Sequence, residues 1–245
     1  MKKESIVLTI LDAISNEILD IKHFESFNSK SIDNYIKKFL NSSSTIEIEK
    51  TTIIHENSLH SLVSTSLFKK DNIANYLKFN NNILKSDIYE FDVIHNNEVV
   101  NVFIPNNNDY SIFNKNYYNN VEHYHKTSLL IDTLIKLDIN KETANAYINL
   151  NKDTFHFIYI KKNKIQFINT FDFTSAEDLI YYILFCMEQL ELNPEKIQTS
   201  ISGTIFKEYY EIIYKYIRNV SVYNSNLSPE SKYYSNYKNQ ILITY

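Results

Sequence analysis

Glycine is nearly absent from this sequence, since Gly203 is the only one in 245 residues. At its average usage of about 7%, glycine would occur roughly seventeen times in a chain of this length. Loops that bind phosphate use glycine because backbone N–H groups can then approach the phosphate oxygens without an obstructing Cβ. A P-loop needs two glycines in one short stretch and a dinucleotide-binding turn needs three, so the sequence excludes both motifs.

The chain also has 3 prolines and no tryptophan, against 20 tyrosines. It is rich in Asn, Ile and Lys as well, which is the composition that a strongly AT-biased genome produces and offers a second explanation for the missing glycine. Asparagine adopts the left-handed conformation more readily than most residues, so we expect Asn96-Asn97 and residues 106–108 to form turns where other proteins use glycine. An Asn side chain would still obstruct the approach of a phosphate.

The single cysteine, Cys186, excludes an internal disulfide and agrees with a reducing compartment. The longest apolar stretch, residues 179–187, is far shorter than the roughly 20 residues that a membrane-spanning helix needs. The apolar run between Glu4 and Asp12 is too short for a signal peptide. A net charge of -4 argues against a basic nucleic-acid-binding face. We therefore expect a cytoplasmic protein that neither binds nucleic acid nor inserts directly into a membrane.

Hydrophobic periodicity predicts the same order of elements in both halves of the chain. In the second half, strands are predicted at 144–150, 154–161 and 164–171, followed by a helix at 175–191, a strand at 196–202, a helix at 206–217 and strands at 219–223 and 240–244. In the first half, strands are predicted at 5–11, 17–24, 46–55, 88–95, 99–104 and 121–125, and helices at 31–40, 71–79, 110–118 and 128–137. Strands that alternate with helices predict mixed sheets covered by helices.

The helix predicted at 175–191 has two special features. Residues 174–177 read as a capping box, with Thr174 as the N-cap and Glu177 three residues later. Apolar side chains occupy nearly every side of the helix, because Tyr181 and Phe185 lie outside the main apolar stripe. This pattern predicts a helix that is buried all round, in which Cys186 packs as a small hydrophobe and is not a nucleophile.

The motifs Phe-Ile-Asn-Thr-Phe-Asp-Phe at 167–173 and Ala-Glu-Asp-Leu-Ile-Tyr-Tyr at 176–182, with residues 188–190, 201–203 and 215–220, carry a family resemblance. They resemble a Bacteroidetes family of proteins of unknown function with an actin-like ATPase fold, distantly similar to the actin homologues of pilus assembly and cell division. Residues 61–64 and 76–80 are similar to it as well, and the resemblance covers most of the chain.

The resemblance implies an α/β fold of two ribonuclease-H-like lobes, with mixed sheets flanked by helices. Residues 1–139 would form the N-terminal lobe, which carries an inserted hairpin, and residues 140–245 the C-terminal lobe. Active relatives bind ATP in the cleft between such lobes. Fold and domain division are thus expectations for the structure to test.

The resemblance also implies that the nucleotide site is degenerate. The first phosphate loop of active relatives is an Asp-x-Gly-Thr/Ser turn, and the matching turn here starts at Asp12 without a glycine. The second matches residues 149–153, which include Asp153 and again no glycine. The adenosine motif has paired glycines, of which Gly203 alone is present. Asp12, Asp153 and Gly203 are therefore the candidate remnants of a cofactor-binding cleft.

The same three residues also have an ordinary structural explanation. Asp12 and Asp153 are typical of aspartates in turns, and Gly203 is typical of a tight turn from a strand to a helix.

His123 and His125 lie on one face of a predicted strand and could hold zinc if a third ligand came from elsewhere. No Cys or further His stands in obvious register with them. We therefore expect no metal site and no catalytic residue.

The leading hypothesis from the sequence is a non-catalytic binding or scaffold protein with a protein partner, and a homodimer is compatible with it. Tyr233, Tyr234 and Tyr237 lie in a polar stretch and are the candidate partner-binding residues, because Tyr is enriched in binding hot spots. Codon bias towards Tyr is the competing explanation. The alternative function is a nucleotide-binding switch or slow ATPase, which alone would use ATP and Mg²⁺ and would need Asp12 to face Asp153.

Overall fold

Our computed structural model describes residues 5–15, 17–25, 38–39, 48–78, 82–94, 98–105, 120–138 and 143–222. The chain divides into two units, unit 1 at Met1–Ser128 and unit 2 at Leu129–Tyr245. The predicted helix at 110–118 and the strand at 240–244 lie outside the described residues, as does nearly all of the helix at 31–40.

Unit 1 is built from seven strands among the residues described, in three small sheets. Strands β1 (Ser5–Leu11) and β2 (Ile18–Glu25) form an antiparallel hairpin. Strands β3 (Thr51–His55) and β7 (Val121–His125) pair in parallel. Strands β4 (His60–Ser64), β5 (Glu90–Ile94) and β6 (Val99–Phe103) form an antiparallel sheet in the order β4-β6-β5. The strands predicted at 88–95 and 99–104 pair with each other as β5 and β6.

Helices in unit 1 follow the predicted positions with changes at their starts. A 3₁₀ turn at Lys70–Asn72 leads into α1 (Ile73–Lys78), whose Leu77 is fully buried against Val100 and Val102 of β6. Helix α2 (Lys126–Asp138) begins directly where β7 ends. The division between the two units falls inside α2, after its third residue.

Among its described residues, unit 2 contains one mixed five-stranded sheet. Its elements are β8 (Asn145–Leu150), β9 (Thr154–Lys161), β10 (Lys164–Asp172), α3 (Ala176–Gln189), β11 (Gln198–Gly203), α4 (Lys207–Tyr216) and β12 (Asn219–Val222). The strand order is β10-β9-β8-β11-β12, with β8 to β10 antiparallel and with β11 and β12 parallel to β8. The element order predicted for residues 144–223 is confirmed.

The core of unit 2 lies between one face of this sheet and the helices α3 and α4. Side chains alternate across a strand, so Ile148 on β8 and Phe157 on β9 point to the same face. They pack with Ile183 of α3 and Ile213 of α4, and all four are fully buried. The opposite face is buried as well, at Tyr147 and at other apolar residues. Burial on both faces explains the nearly continuous apolar runs of β8 and β9.

Two predictions for α3 are wrong. Its N-cap is Ser175, one residue later than predicted, and the Ser175 Oγ accepts the N–H of Asp178 at 3.1 Å. The Asp178 carboxylate, not that of Glu177, reaches back to the N–H and hydroxyl of Thr174. Nor is the helix buried all round, because Tyr181 is 62% exposed and Phe185 is 44% exposed. The sheet and α4 cover only part of the helix surface. In the described part of the chain, no helix is long and apolar enough to cross a membrane.

Candidate functional site at the strand-end turns

The turn after β1 is closed by its own aspartate. The Oδ1 atom of Asp12 accepts the N–H groups of Ile14 at 3.0 Å and Ser15 at 2.7 Å, and the Ser15 hydroxyl at 3.0 Å. The Asp12 N–H donates to the Glu17 carbonyl at 2.9 Å. The donors from Ser15 and Ile14 stabilise the charged carboxylate and lower the pKa of Asp12. The N–H groups of Ile14 and Ser15 are therefore already used within the turn.

The corresponding turn of unit 2 is also closed by internal hydrogen bonds. The Asn151 N–H donates to the Thr154 carbonyl at 2.8 Å, and the Asn151 side-chain amide donates to Thr154 Oγ1 at 3.2 Å. The backbone carbonyl of Asp153 accepts the N–H of Phe173 at 3.1 Å. The Asp153 side chain is exposed. The turn is held in place from both ends without any glycine.

Gly203 is needed for a close backbone approach. It ends β11 with a φ of +89°, and a Cβ at this position would lie 2.1 Å from the Leu150 carbonyl oxygen. The same oxygen accepts the N–H of Thr204 at 2.7 Å. This geometry agrees with the tight strand-to-helix turn that the sequence predicts. Leu150 connects Gly203 with the turn at 151–153, because it pairs with Gly203 in the sheet and immediately precedes that turn.

A row of polar side chains crosses the sheet beside this edge. His156 pairs with Asn149 and with Thr170, and Asn149 pairs with Ser202, so the row crosses four strands on one face. The His156 Nδ1 lies 2.7 Å from Thr170 Oγ1, and the Asn149 amide donates to Ser202 Oγ at 2.9 Å. All but Thr170 are buried.

The polar row lies near the carboxyl ends of the parallel strands β8 and β11, where α/β sheets commonly bind ligands. The sequence alone does not reveal this row. Asn149 and His156, polar residues within the apolar strands β8 and β9, were the available signal, but only the strand register shows that the four residues are neighbours.

Four histidines meet in unit 1. The parallel register of β3 and β7 places His55 opposite His125, so further histidines do lie beside the predicted pair. The His55 Nε2 is 2.9 Å from the His123 Nδ1, and the rings of His60 and His125 are 4.3 Å apart. Burial lowers the pKa of His55 to about 4 and also lowers those of His60 and His123. Within the residues described, no group of three or more His, Cys, Asp or Glu could hold a metal ion.

A buried carboxylate beside the histidines fixes the start of α2. The Asp92 Oδ2 on β5 accepts the His125 N–H at 2.8 Å and is also hydrogen-bonded to Ser128. Asn101, which is fully buried, donates to Ser128 Oγ at 2.9 Å. Burial raises the pKa of Asp92 to about 6. These contacts satisfy donors at a helix N-terminus, so the cluster has a structural role there.

The structure thus brings Asp153 and Gly203 to one sheet edge in unit 2, whereas Asp12 belongs to unit 1. Tyr233, Tyr234 and Tyr237 lie outside the described residues. The role of all these residues in binding stays a prediction.

The fold that carries these turns is an actin-like ATPase fold, with mixed sheets flanked by helices. A protein of Bacteroides thetaiotaomicron VPI-5482 with this fold and unknown function has a TM-score of 0.76 at 19% identity, over 89% of this chain and 86% of that chain. The PilM-PilN type IV pilus biogenesis complex gives a TM-score of 0.59 at 9% identity, over 98% of this chain and 93% of that chain. Both likenesses show the fold alone.

Residues 1–220 match the family described as "Protein of unknown function (DUF3822)", and the chain belongs to this family. The filament of AlfA from B. subtilis plasmid pLS32 is also similar, with a TM-score of 0.47 at 11% identity, over 99% of this chain and 96% of that chain. No curated protein matches the sequence significantly. The family resemblance and fold class given by the sequence analysis are confirmed.

Proposed function

We propose that this protein is a non-catalytic binding or scaffold protein, built on an actin-like frame whose nucleotide site is degenerate. The observation that carries the proposal is the self-closed turn at Asp12. A phosphate loop works because its backbone N–H groups point at the ligand. Here the N–H groups of Ile14 and Ser15 donate to the Asp12 carboxylate instead.

A phosphate at this turn would meet two costs. The hydrogen bonds from Ile14 and Ser15 to Asp12 would have to break, and the carboxylate, whose pKa is lowered, would repel a second anion. In relatives with glycine the backbone can adjust to the ligand, but residues 13 to 16 all carry a Cβ. Both costs favour a turn that no longer holds a phosphate.

The strand-end edge of unit 2 supports the same conclusion. The turn at 151–153 forms its own hydrogen bonds, and the open side of Gly203 is taken up by the Leu150 carbonyl at 2.1 Å from an added Cβ. The glycine therefore serves a contact within the sheet and leaves no space for a ligand at that position.

Binding to a protein partner is a function that such a frame can keep without a nucleotide. The similar PilM is part of a complex with PilN, so this fold occurs in a protein-protein assembly. Cys186, a buried free thiol whose pKa burial raises to about 11, is consistent with the cytoplasmic location we propose.

Thermal melting with and without millimolar MgATP or MgADP tests the degenerate site. A ligand at a hundred times its Kd would add about 2.7 kcal/mol and raise the Tm by several degrees for a chain of this size. We expect no Mg-dependent change. A clear rise that is lost in Asp12→Asn would overturn the proposal in favour of the nucleotide-binding switch or slow ATPase.

A further inference from the structure

Two large aromatic side chains face solvent on α3. Tyr181 is 62% exposed and Phe185 is 44% exposed, and their stacked rings are 6.3 Å apart. The outer stripe of a surface helix is normally polar. The pair is also firmly supported, since Tyr181 contacts Tyr182, whose ring stacks on Phe171 of β10 at 5.4 Å. Rigid exposed aromatics are typical of binding surfaces.

A groove lies at the start of α3, one helical turn before Tyr181. It has a volume of about 550 Å³ and lies between the first turn of α3 and the outer side of α4. Glu177 lines it from α3, and Glu208, Glu211 and Lys215 line it from α4. Glu177 stands four residues before Tyr181 and therefore on the same side of the helix, one turn earlier.

We define the α3–α4 surface as Glu177, Tyr181, Phe185, Glu208 and Glu211. All five of its residues are exposed. Tyr181 lies one helical turn after Glu177, which lines the groove, so the aromatic pair and the groove are neighbours on unit 2.

The charge of this surface is negative. Helix α3 contains no Lys or Arg, and exposed carboxylates at Glu177 and Glu188 lie on either side of the aromatic pair. In the groove, three carboxylates face the single ammonium group of Lys215, which also lies 5.4 Å from the ring of Tyr216. Lys207 lies 3.5 Å from Glu211 and adds a second positive charge, so these three carboxylates and two ammonium groups carry a net charge of -1.

The negative charge determines which kind of molecule this surface can bind. Nucleic acid and anionic membranes would be repelled, and a second copy would bring carboxylates against carboxylates. A partner with basic residues beside an apolar stripe is complementary in both respects. Lys or Arg beside Tyr181 would also gain a cation–π contact.

We infer that the α3–α4 surface binds an amphipathic basic helix of a protein partner. Its apolar stripe would pack against Tyr181 and Phe185, and a Lys or Arg at one end would enter the groove beside Glu177 and Glu208. This is the helix-in-groove mode of recognition. The inference rests on the proposed function and names the chemistry of the partner.

Photocross-linking in lysate of the source organism tests the inference. One variant is Tyr181→p-benzoylphenylalanine, and the matched control is Tyr214→p-benzoylphenylalanine, because Tyr214 is 59% exposed on α4 outside this surface. We expect position 181 alone to cross-link to a segment of another protein that is net basic and has apolar residues at helical spacing. A cross-link to a second copy, to an acidic segment, or equally from both positions would overturn the inference.

A binding measurement with a defined probe makes the test quantitative. The probe is a fluorescein-labelled helical peptide of Leu and Lys, and its control has Glu in place of every Lys. Fluorescence anisotropy should show binding of the Lys peptide only. The double variant Tyr181→Ser, Phe185→Ser and the double variant Glu177→Gln, Glu208→Gln should each weaken binding at least tenfold, and Tyr214→Ser should not. Unchanged binding in either double variant would overturn the inference.

Failure of the inference can be separated from failure of the proposed function. If the wild-type protein captures a reproducible partner that the Tyr181→Ser, Phe185→Ser variant also retains, the binding function stands and this surface is wrong. If the wild type captures no partner and cross-links from neither position, the proposed binding function itself fails.

Discussion

The two units of this protein have interiors of different chemistry. In unit 2 an apolar core that includes Phe157 and Ile183 lies between one face of the sheet and two helices, and buried polar groups such as Asn149 and His156 lie on the other face. In unit 1 polar groups are buried beside the apolar ones, among them His55, Asp92 and Asn101. An apolar core depends on packing, whereas buried polar groups are stable only while their hydrogen bonds are made. Loss of packing should therefore be the main cause of unfolding in unit 2, and loss of hydrogen bonds the main cause in unit 1.

The starts of two helices show the same difference on a smaller scale. In unit 2, α3 is capped by its own neighbours in sequence, Ser175 and Asp178. In unit 1, the start of α2 is held by Asp92, which comes from β5 and lies 33 residues before His125. A local cap forms with the helix itself, but a distant cap requires that the surrounding sheet has already folded.

The largest effect that we expect is in the core of unit 2. Phe157→Ala should lower the free energy of unfolding by about 4 kcal/mol, and Leu77→Ala in unit 1 by about 3 kcal/mol. Both side chains are fully buried, but Leu77 belongs to a smaller apolar cluster that can collapse around the cavity. Urea unfolding followed by circular dichroism measures both. A larger loss of unfolding free energy for Leu77→Ala than for Phe157→Ala would contradict this difference between the units.

Gly203→Ala should cost about 3 kcal/mol, because the new Cβ would clash with the Leu150 carbonyl and the φ of +89° is strained for alanine. Hydrogen exchange should rise in peptides from β8 and β11 before it rises in unit 1. The control is Lys162→Gly, at another left-handed position with a φ of +51°. It should change stability by less than about 1 kcal/mol. Equal effects of both variants would show that the close approach to Leu150 is unimportant.

Acid should destabilise unit 1 selectively. The pKa of His55 is lowered from 6.5 to about 4, so between these values the unfolded chain binds a proton that the folded protein does not. Stability is therefore lost as the pH falls from 6.5 to 4, on the order of 2 kcal/mol from His55. His60 and His123 act in the same direction.

Asp92 changes the stability of unit 1 with pH in the direction opposite to the histidines. Its pKa is raised from 3.8 to about 6, so the folded state binds the extra proton and stability increases as the pH falls through this window. Hydrogen exchange corrected for intrinsic rates at pH 7 and pH 5 should show a loss in unit 1 that is smaller in His55→Asn and larger in Asp92→Asn. A loss of the same size in unit 2 would be evidence against the comparison.

The smallest effect concerns the local cap. Ser175→Ala should cost about 1 kcal/mol, with faster exchange confined to the first turn of α3. Asp92→Asn at neutral pH should instead alter exchange in both β5 and the start of α2, because the side chain joins two elements. Mass-spectrometric exchange on peptides of each region distinguishes the local pattern from the distributed one.

Much of the local structure could be predicted from the sequence. The strands at 121–125 and 154–161 have the predicted bounds, and the Lys162-Asn163 turn uses the left-handed conformation without glycine. The prediction of α3 as buried on all sides failed because periodicity shows how many sides are apolar, but not how many neighbours the fold supplies.

For the candidate site, the sequence by itself determined the missing glycines, the positions of Asp12, Asp153 and Gly203, and the order of strands and helices. These depend on backbone preferences and side-chain periodicity, which act over a few residues. Tertiary structure alone decided that Asn149 and His156 join one polar row and that Tyr181 faces solvent. Register and packing set these contacts, because they bring together residues far apart in the chain.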